Sequence, residues 1–168
     1  MGRFAARLRF DILLHNAGLR ENMEIRPIEI LMIEDNDGDV FLTLEAFKGA
    51  KVANKVSVVR DGMQAMDFLQ KRNDYSSAPR PDLVLLDLNL PGKDGREVLA
   101  EIKSVPELRS IPVVVLTSSK AEEDIIRAYD LQANCYIVKP VDFDNLMQIV
   151  GAIESFWLTV VKLPPNGL

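Results

Sequence analysis

Five short apolar runs alternate along the chain with five segments whose apolar residues recur at helical spacing. Each run is short enough for one buried β-strand, and each following segment is long enough for an amphipathic helix. The predicted strands span residues 28–33, 55–59, 82–87, 112–116 and 135–138. A predicted helix follows each strand, and the last and longest runs from Phe143 to about Val161. The alternation predicts a parallel sheet covered by helices on both faces, because parallel neighbours need crossover connections.

One such domain accounts for most of the sequence. We expect a single doubly wound α/β domain over residues 25–163, followed by a tail over residues 164–168 that begins with two prolines. Residues 1–24 form an extension in which Phe4 and Leu8 fall at helical spacing. This extension is either an amphipathic helix that binds a membrane or a partner, or a segment appended to the domain; we favour the second.

Composition and charge narrow the function classes. The net charge of −5 disfavours a nucleic-acid-binding role, which normally requires a basic face. The single cysteine, Cys135, excludes an internal disulfide and fits a reducing compartment, so we expect a cytoplasmic protein. No apolar stretch of the sequence is long enough to cross a bilayer, and we expect no membrane partner.

Polar side chains with useful chemistry follow four of the five predicted strands. Glu34 and Asp35 follow the first strand, Asp87 the third, Thr117 the fourth and Lys139 the fifth. In the flavodoxin-like strand order 2-1-3-4-5, the first and third strands are neighbours at the topological switch point, where such sheets bind ligands. We therefore expect the three carboxylates to lie close together at one edge of the sheet.

Three neighbouring carboxylates repel one another unless cations neutralise them. Lys139 supplies one positive charge, and a hard cation such as Mg²⁺ suits carboxylates together with a backbone carbonyl, which Asn89 is placed to provide. A carboxylate in such a site can attack phosphorus and form an acyl phosphate. We predict that Asp87 is this nucleophile, and that Thr117 and Lys139 stabilise the transferred phosphoryl group.

These residues and their local sequences resemble the receiver domain of bacterial two-component response regulators. The resemblance rests on Glu34-Asp35, on Asp87 in the sequence LLDLNLPGKDG, on Thr117-Ser118 and on Lys139-Pro140, and it spans residues 28–160. The family has Asp-Asp where this chain has Glu34-Asp35. The second residue of the pair, which binds the metal directly in the family, is therefore unchanged as Asp35. Many members also have alanine at the position of Ser118.

The resemblance implies a role for each of these residues. Asp87 would accept a phosphoryl group from a phosphohistidine of a sensor histidine kinase. Asp35, Asp87 and the Asn89 carbonyl would bind Mg²⁺, and Glu34 would act through water. Tyr136, three residues before Lys139, matches the aromatic switch position of the family. Such a receiver is a signalling protein that catalyses only its own phosphorylation and dephosphorylation.

Two further expectations come from the same resemblance. The Lys139–Pro140 peptide would be cis, as is typical of the family. Three segments, GREVLAEIK (95–103), NCYIVKP (134–140) and IESFWL (153–158), are similar to the small regulators that partner phytochrome-type histidine kinases, best known in cyanobacteria. We therefore expect a phytochrome-type kinase as partner.

The last predicted helix carries more apolar surface than one core-facing stripe needs. An arc that includes Phe143 and Trp157 should face the sheet, and Ile149, Phe156 and Val160 widen it sideways. Surplus apolar surface of this kind often marks an interface. We predict a two-fold homodimer through the fourth helix, the fifth strand and the fifth helix. The residues after this helix are too few for an output domain, so the signal would pass through a changed surface.

Two rival functions remain for comparison. A dehalogenase-like phosphatase also uses an aspartyl phosphate, Mg²⁺ and a lysine, and Asp87-Leu88-Asn89 superficially resembles its Asp-x-Asp motif. However, the second position is Asn89, and the nucleophile follows the third strand rather than opening the chain. A nucleotide-binding function is disfavoured because the first strand is followed by neither G-x-G-x-x-G nor a P-loop.

Overall fold

A five-stranded parallel sheet forms the centre of the molecule, which was obtained as a computed structural model that describes residues 26–164. The strands are β1 (Ile28–Ile33), β2 (Asn54–Val59), β3 (Leu83–Leu86), β4 (Val113–Thr117) and β5 (Cys135–Val138). Their spatial order is β2-β1-β3-β4-β5, and every neighbouring pair is parallel. The predicted flavodoxin-like order is confirmed.

Within residues 26–164, five α-helices connect and follow the strands, as predicted. They are α1 (Asp37–Lys48), α2 (Gly62–Leu69), α3 (Gly95–Ser104), α4 (Glu122–Asp130) and α5 (Phe143–Ile153). Four of them begin at a side chain that accepts a hydrogen bond from the first turn, and these caps are Asn36, Asp61, Asp94 and Asp142. The helix starts therefore lie just past the strand ends, where the polar residues of the sequence cluster. None of the described helices is both long and apolar enough to span a bilayer.

The core lies in two layers on opposite faces of the sheet. Alternate residues of β3 point to each layer: Val84 and Leu86 contact one layer, and Leu83 and Leu85 the other. Helices α2, α3 and α4 cover the first layer, whereas α1 and α5 cover the second. All four residues of β3 are buried, and all four are apolar. The charged Asp87 therefore comes only after the strand has ended.

The chain after α5 differs from the prediction of one long helix. The α-helix ends at Ile153, and Glu154–Val160 continue as a π-helix, in which the Val161 N–H donates to the Phe156 carbonyl. Phe143, expected to face the sheet, is 42% exposed because it lies in the first turn of α5, ahead of the buried Leu146. These positions depend on tertiary packing, which helical periodicity does not encode.

Two other expectations concern the Lys139–Pro140 peptide bond and the two ends of the chain. The Lys139–Pro140 peptide is trans, since no described peptide bond is cis, and the family-based expectation of a cis bond is wrong here. Trans is the favoured state of an X–Pro bond in the absence of a specific constraint. The predicted extension over residues 1–24 lies outside the described residues, as does all of the predicted tail except Pro164.

Candidate functional site

The sheet ladder brings the polar ends of β1 and β3 side by side. Ile33 pairs with Leu86 as the last residue of each strand, so Glu34 and Asp87 follow at matching positions. The backbone extends the ladder by one step on each side: the Asp87 N–H donates to the Ile33 carbonyl at 3.0 Å, and the Glu34 N–H to the Val59 carbonyl at 3.0 Å. The two carboxylates therefore leave the sheet together at its carboxyl edge.

Three carboxylates gather at this edge. One oxygen from each of Glu34, Asp35 and Asp87 lies within 4.8 Å of the others. Glu34 and Asp87 are buried, whereas Asp35 is exposed, so the cluster is open to solvent on one side. An all-oxygen donor set with an open side fits a hard divalent cation that keeps some of its waters. The predicted proximity of the three residues is confirmed.

Lys139, which directly follows β5, offsets part of the negative charge of the cluster. Its ammonium donates to Glu34, to Asp39 Oδ2 at 2.8 Å and to Asp87 Oδ2 at 2.7 Å. Burial by itself lowers the pKa of Lys139, but the three carboxylate hydrogen bonds outweigh it and raise the pKa above its ordinary value. Burial also raises the pKa of Glu34, against the opposing effect of Lys139.

Asp39 is a member of the site that the sequence reasoning missed. It lies in the first turn of α1, where acidic residues commonly balance the helix dipole. Its contact with Lys139 spans 100 positions of the chain. The available signal was its place one turn after Glu34-Asp35, on a helix that begins at the same edge of the sheet.

Both oxygens of Asp87 accept hydrogen bonds. The hydroxyl of Thr117, which is fully buried at the end of β4, donates to Asp87 Oδ1 at 2.7 Å. The backbone N–H of Asn89 donates to the same oxygen at 3.0 Å, and Lys139 donates to Oδ2. Donors from three different segments therefore fix the orientation of the Asp87 carboxylate.

The loop after Asp87 is packed too tightly for a side chain at Gly95. A Cβ on Gly95 would lie 2.2 Å from the Asp87 carbonyl oxygen and 2.6 Å from the Leu88 Cα. The Gly95 N–H also donates to the Leu88 carbonyl at 3.0 Å. The start of α3 is thus held directly against the backbone that carries Asp87.

Tyr136 lies on β5 beside this site. Its register partner on β4 is Val115, and its half-buried hydroxyl donates to the Ser119 carbonyl at 3.1 Å. Burial raises the pKa of the Tyr136 phenol, with the hydrogen bond to Ser119 acting in the opposite direction. The tyrosine therefore contacts the loop that follows Thr117.

Comparison with protein families matches residues 30–151 to the response regulator receiver domain. The match covers every residue of the site and the whole sheet except the first two residues of β1. The chain belongs to the response regulator receiver domain family. The family inferred from the local motifs is thus confirmed by a match that extends over most of the chain.

The receiver is similar over most of its length to regulators of cyanobacteria. It is 51% identical over 138 residues to the response regulator Rcp1 of Synechocystis sp., covering 82% of this chain and 94% of Rcp1. A crystal structure of the Mn²⁺-bound form of Rcp1 matches with a TM-score of 0.80 and 50% identity, over 83% of this chain and all of that chain. The phosphorylated cyanobacterial phytochrome response regulator RcpA matches with a TM-score of 0.81 and 53% identity, over the same shares.

Proposed function

We propose that this receiver accepts a phosphoryl group on Asp87 from a histidine kinase, with Mg²⁺ bound beside it, and signals through a changed interaction surface. The observation that carries the proposal is the orientation of the Asp87 carboxylate between Lys139 and Thr117, at the edge of an acidic cluster. The two donors orient the carboxylate, which is the nucleophile, and they are placed to stabilise the negative charge that arrives with the phosphoryl group.

In the proposed reaction, a carboxylate oxygen of Asp87 attacks the phosphorus of a phosphohistidine. A new O–P bond forms, the P–N bond breaks, and the imidazole leaves with its electron pair. The Lys139 ammonium lies 2.7 Å from Asp87 Oδ2, so it is placed to balance the charge of the arriving phosphoryl group. The Thr117 hydroxyl, now 2.7 Å from Oδ1, would donate to a phosphoryl oxygen after transfer.

The residues proposed to hold Mg²⁺ are Asp35, Asp87 and the Asn89 carbonyl, with Glu34 acting through water. The oxygen-only donor set and its open side support this assignment, as does the metal-bound form of the similar Rcp1. When bound, Mg²⁺ supplies positive charge to the phosphoryl oxygens. Calorimetric titration should show one Mg²⁺ site in wild type and a much weaker one in Asp35→Asn. Equal binding by both proteins would contradict the assignment.

The acceptor is tested by intact mass after incubation with Mg²⁺ and acetyl phosphate. We expect one phosphoryl group on wild type and none on Asp87→Asn. Asp130→Asn, which removes an exposed carboxylate at the end of α4, serves as the matched control and should label like wild type. Labelling of Asp87→Asn to the wild-type level would contradict the proposed site.

The number of phosphoester molecules hydrolysed per site distinguishes a receiver from a dehalogenase-like phosphatase. No comparison supports the phosphatase. A receiver that catalyses only its own phosphorylation and dephosphorylation should release no alcohol from a simple phosphomonoester. A phosphatase would hydrolyse many molecules of the same substrate per site, and that result would contradict the proposal.

The proposed phosphodonor is a phytochrome-type histidine kinase. The similarity to Rcp1 and to the phytochrome regulator RcpA supports this choice. An autophosphorylated phytochrome-type kinase should transfer its label to this receiver within minutes, and an unrelated histidine kinase should do so far more slowly. Equal rates from both kinases would contradict the phytochrome assignment. Transfer in cells would take place in the cytoplasm, in line with the expectation from the single cysteine.

We also propose a homodimer through α4, β5 and α5. Large apolar side chains are exposed on α4 and on the π-helix after α5, namely Ile126, Tyr129, Phe156 and Val160. Sedimentation should show a dimer for wild type and a monomer for Ile126→Glu. Met63→Glu changes an equally exposed residue on α2 and should leave the dimer intact. A monomer at all concentrations, with and without a phosphoryl analogue, would contradict the dimer.

Two further assignments belong to the proposal. Tyr136 acts as the switch, so its ring should change rotamer between the free and the phosphorylated protein; one rotamer in both would contradict this role.

The folded domain comprises residues 25–163, so a chain that begins at Met23 should retain the free energy of unfolding of the full chain. A clear loss of stability would assign residues 1–22 a structural role.

A further inference from the structure

Ser119, two residues past Thr117, contacts both of the residues proposed to respond to phosphorylation. Its backbone N–H donates to Thr117 Oγ1 at 3.4 Å, and its carbonyl accepts from the Tyr136 hydroxyl at 3.1 Å. Its own hydroxyl donates to Asp124 Oδ2, in the first turn of α4, at 2.6 Å. The position of this one residue therefore affects the geometry of both Thr117 and Tyr136.

Asp124 is in turn held by a guanidinium from the neighbouring helix. Arg96, on α3, donates from Nε and Nη2 to Asp124 Oδ1, at 2.9 and 2.6 Å. Arg96 is only 16% exposed and also pairs with Asp94, the cap of α3, at 2.9 Å. The Arg96 guanidinium and the Ser119 hydroxyl hold the pKa of Asp124 below its ordinary value, so this carboxylate is ionised near neutral pH.

These contacts close a ring that starts and ends at Asp87. From Asp87, the loop leads to Asp94, the cap of α3. Arg96, in the first turn of that helix, binds Asp124. Asp124 binds Ser119, Ser119 binds Thr117, and Thr117 donates to Asp87. A displacement of Thr117 away from Asp87 therefore strains a charged contact on the far side of the ring.

We propose that Arg96 and Asp124 are positioning residues that hold Ser119, and through it Thr117, in the arrangement of the unphosphorylated protein. The inference rests on the proposed function, because it assumes that Asp87 takes up a phosphoryl group. The Asp124–Ser119 hydrogen bond then opposes acceptance of that group. It also sets the fraction of molecules that leave the unphosphorylated arrangement at a given level of phosphorylation.

The direction of the effect follows from the hydroxyl of Thr117. This hydroxyl has one proton, which it now donates to Asp87 Oδ1. A phosphoryl group on Asp87 removes the charge of the carboxylate and offers more negative oxygens farther out, so the proton is better placed there. Thr117 can follow only if the segment up to Ser119 moves with it. A short hydrogen bond to a charged acceptor is costly to give up, so Asp124 favours the unmoved state.

The alternative is a purely structural ion pair that joins α3 to α4. In that case the loss of Arg96 or Asp124 lowers the free energy of unfolding and leaves the affinity for phosphoryl analogues unchanged. The two interpretations therefore differ in a binding measurement, not in a stability measurement.

The test is calorimetric titration of the full chain with beryllofluoride, a phosphoryl analogue, in saturating Mg²⁺. Ser119→Ala and Asp124→Ala should each lower the Kd about tenfold, the factor expected when one charge-assisted hydrogen bond that opposes binding is lost. The double variant should bind like either single variant, because both remove the same contact. Arg96→Met should also lower the Kd for beryllofluoride, and Arg96→Lys should bring the Kd back toward that of wild type.

Two controls keep the result interpretable. Arg72→Met breaks an exposed ion pair with Asp67, away from the ring, and should leave the Kd unchanged. The Mg²⁺ affinity without beryllofluoride should be the same in all variants. If Asp124→Ala fails to fold, Ser119→Ala alone decides, since it removes one hydroxyl and keeps the backbone contacts.

An unchanged or weaker affinity for beryllofluoride in Ser119→Ala would overturn the inference. A wild-type protein that does not bind beryllofluoride at all would instead overturn the proposed function, and the inference with it. The two failures are therefore distinguishable in one series of titrations.

Discussion

Lys139 is the cation against which the carboxylates of the site are balanced. It is 10% exposed and donates to Glu34, Asp39 and Asp87, which come from three different segments. Removing one partner of a buried ion pair leaves uncompensated charge, which costs far more than the loss of an exposed pair. The stability of the free protein should therefore depend on this one side chain.

Replacing Lys139 by methionine tests this dependence. Because three carboxylates then face one another without a cation, we expect the free energy of unfolding in EDTA to fall by about 3 kcal/mol. Mg²⁺ should restore part of the loss, since it supplies charge to the same oxygens. Urea unfolding in EDTA and in Mg²⁺ measures both effects. Lys48→Met, which breaks an exposed pair with Glu45, should cost no more than about 0.5 kcal/mol; a similar cost for both variants would contradict the argument.

Thr117 should contribute through its hydroxyl rather than its shape. Thr117→Val keeps the volume of this buried side chain but removes the donor to Asp87 Oδ1, and we expect slower labelling by acetyl phosphate, by roughly tenfold or more. Thr117→Ser keeps the hydroxyl and should label at a rate close to wild type. The measurement is the rate of appearance of the phosphorylated mass. Equal rates for the valine and serine variants would assign Thr117 a packing role only.

Cys135 should react slowly with alkylating agents at neutral pH. Burial raises the pKa of its thiol, so at any pH below that value the thiolate fraction is smaller than in the unfolded chain. The rate in urea should reach half its maximum near pH 8.5, about the pKa of an ordinary cysteine, whereas the rate of the folded protein should reach half its own maximum at a higher pH. Identical pH profiles for the two states would contradict the effect of burial.

At the scale of elements, the ends of strands and the starts of helices define the site. β4 ends in a residue of the site, a residue of the site directly follows each of β1, β3 and β5, and α1 and α3 begin in the loops after β1 and β3. The α3 start is fixed by its close approach to the Asp87 backbone at Gly95. The loop after Asp87 is therefore sensitive to a single added methyl group at Gly95.

Gly95→Ala should lower the free energy of unfolding by about 1–3 kcal/mol, the usual cost of overpacking. The added Cβ would overlap the Asp87 carbonyl oxygen, so labelling of Asp87 should slow as well. Gly151→Ala is the matched control: a Cβ there meets nothing within 4 Å, and alanine should stabilise α5 by about 0.5–1 kcal/mol. Thermal or urea unfolding of both variants checks the signs. Two changes of the same sign would contradict the steric argument.

At the scale of the whole molecule, the sequence predicts what depends on local patterns and on sheet topology. The fully buried β3 reads as an apolar run, and parallel topology alone brings Glu34 and Asp87 to the same edge. Contacts that depend on how helices pack were not predictable in this way. The Asp39–Lys139 pair joins α1 to β5, and the Arg96–Asp124 pair joins α3 to α4.

The change from α-helix to π-helix at Glu154 is of the same kind. The Glu154 carboxylate accepts from the Val52 N–H at 2.8 Å, a contact 102 positions away in the chain. Apolar spacing alone gives no sign of such a contact, so it predicted one uniform helix. Family resemblance likewise suggested a cis Lys139–Pro140 bond, whereas the bond is trans. Roles that depend on long-range polar contacts therefore need the structure.

Asp87 is the proposed carrier of the phosphoryl group, and chemical mapping can locate that group on the chain. The protein is labelled with acetyl phosphate and Mg²⁺, the acyl phosphate is reduced with borohydride to an alcohol, and the position of the altered residue is read by fragment mass. We expect reduction at Asp87 alone, and none when Mg²⁺ is replaced by EDTA. Reduction at Asp35 or at any other carboxylate, with Asp87 intact, would contradict this expectation.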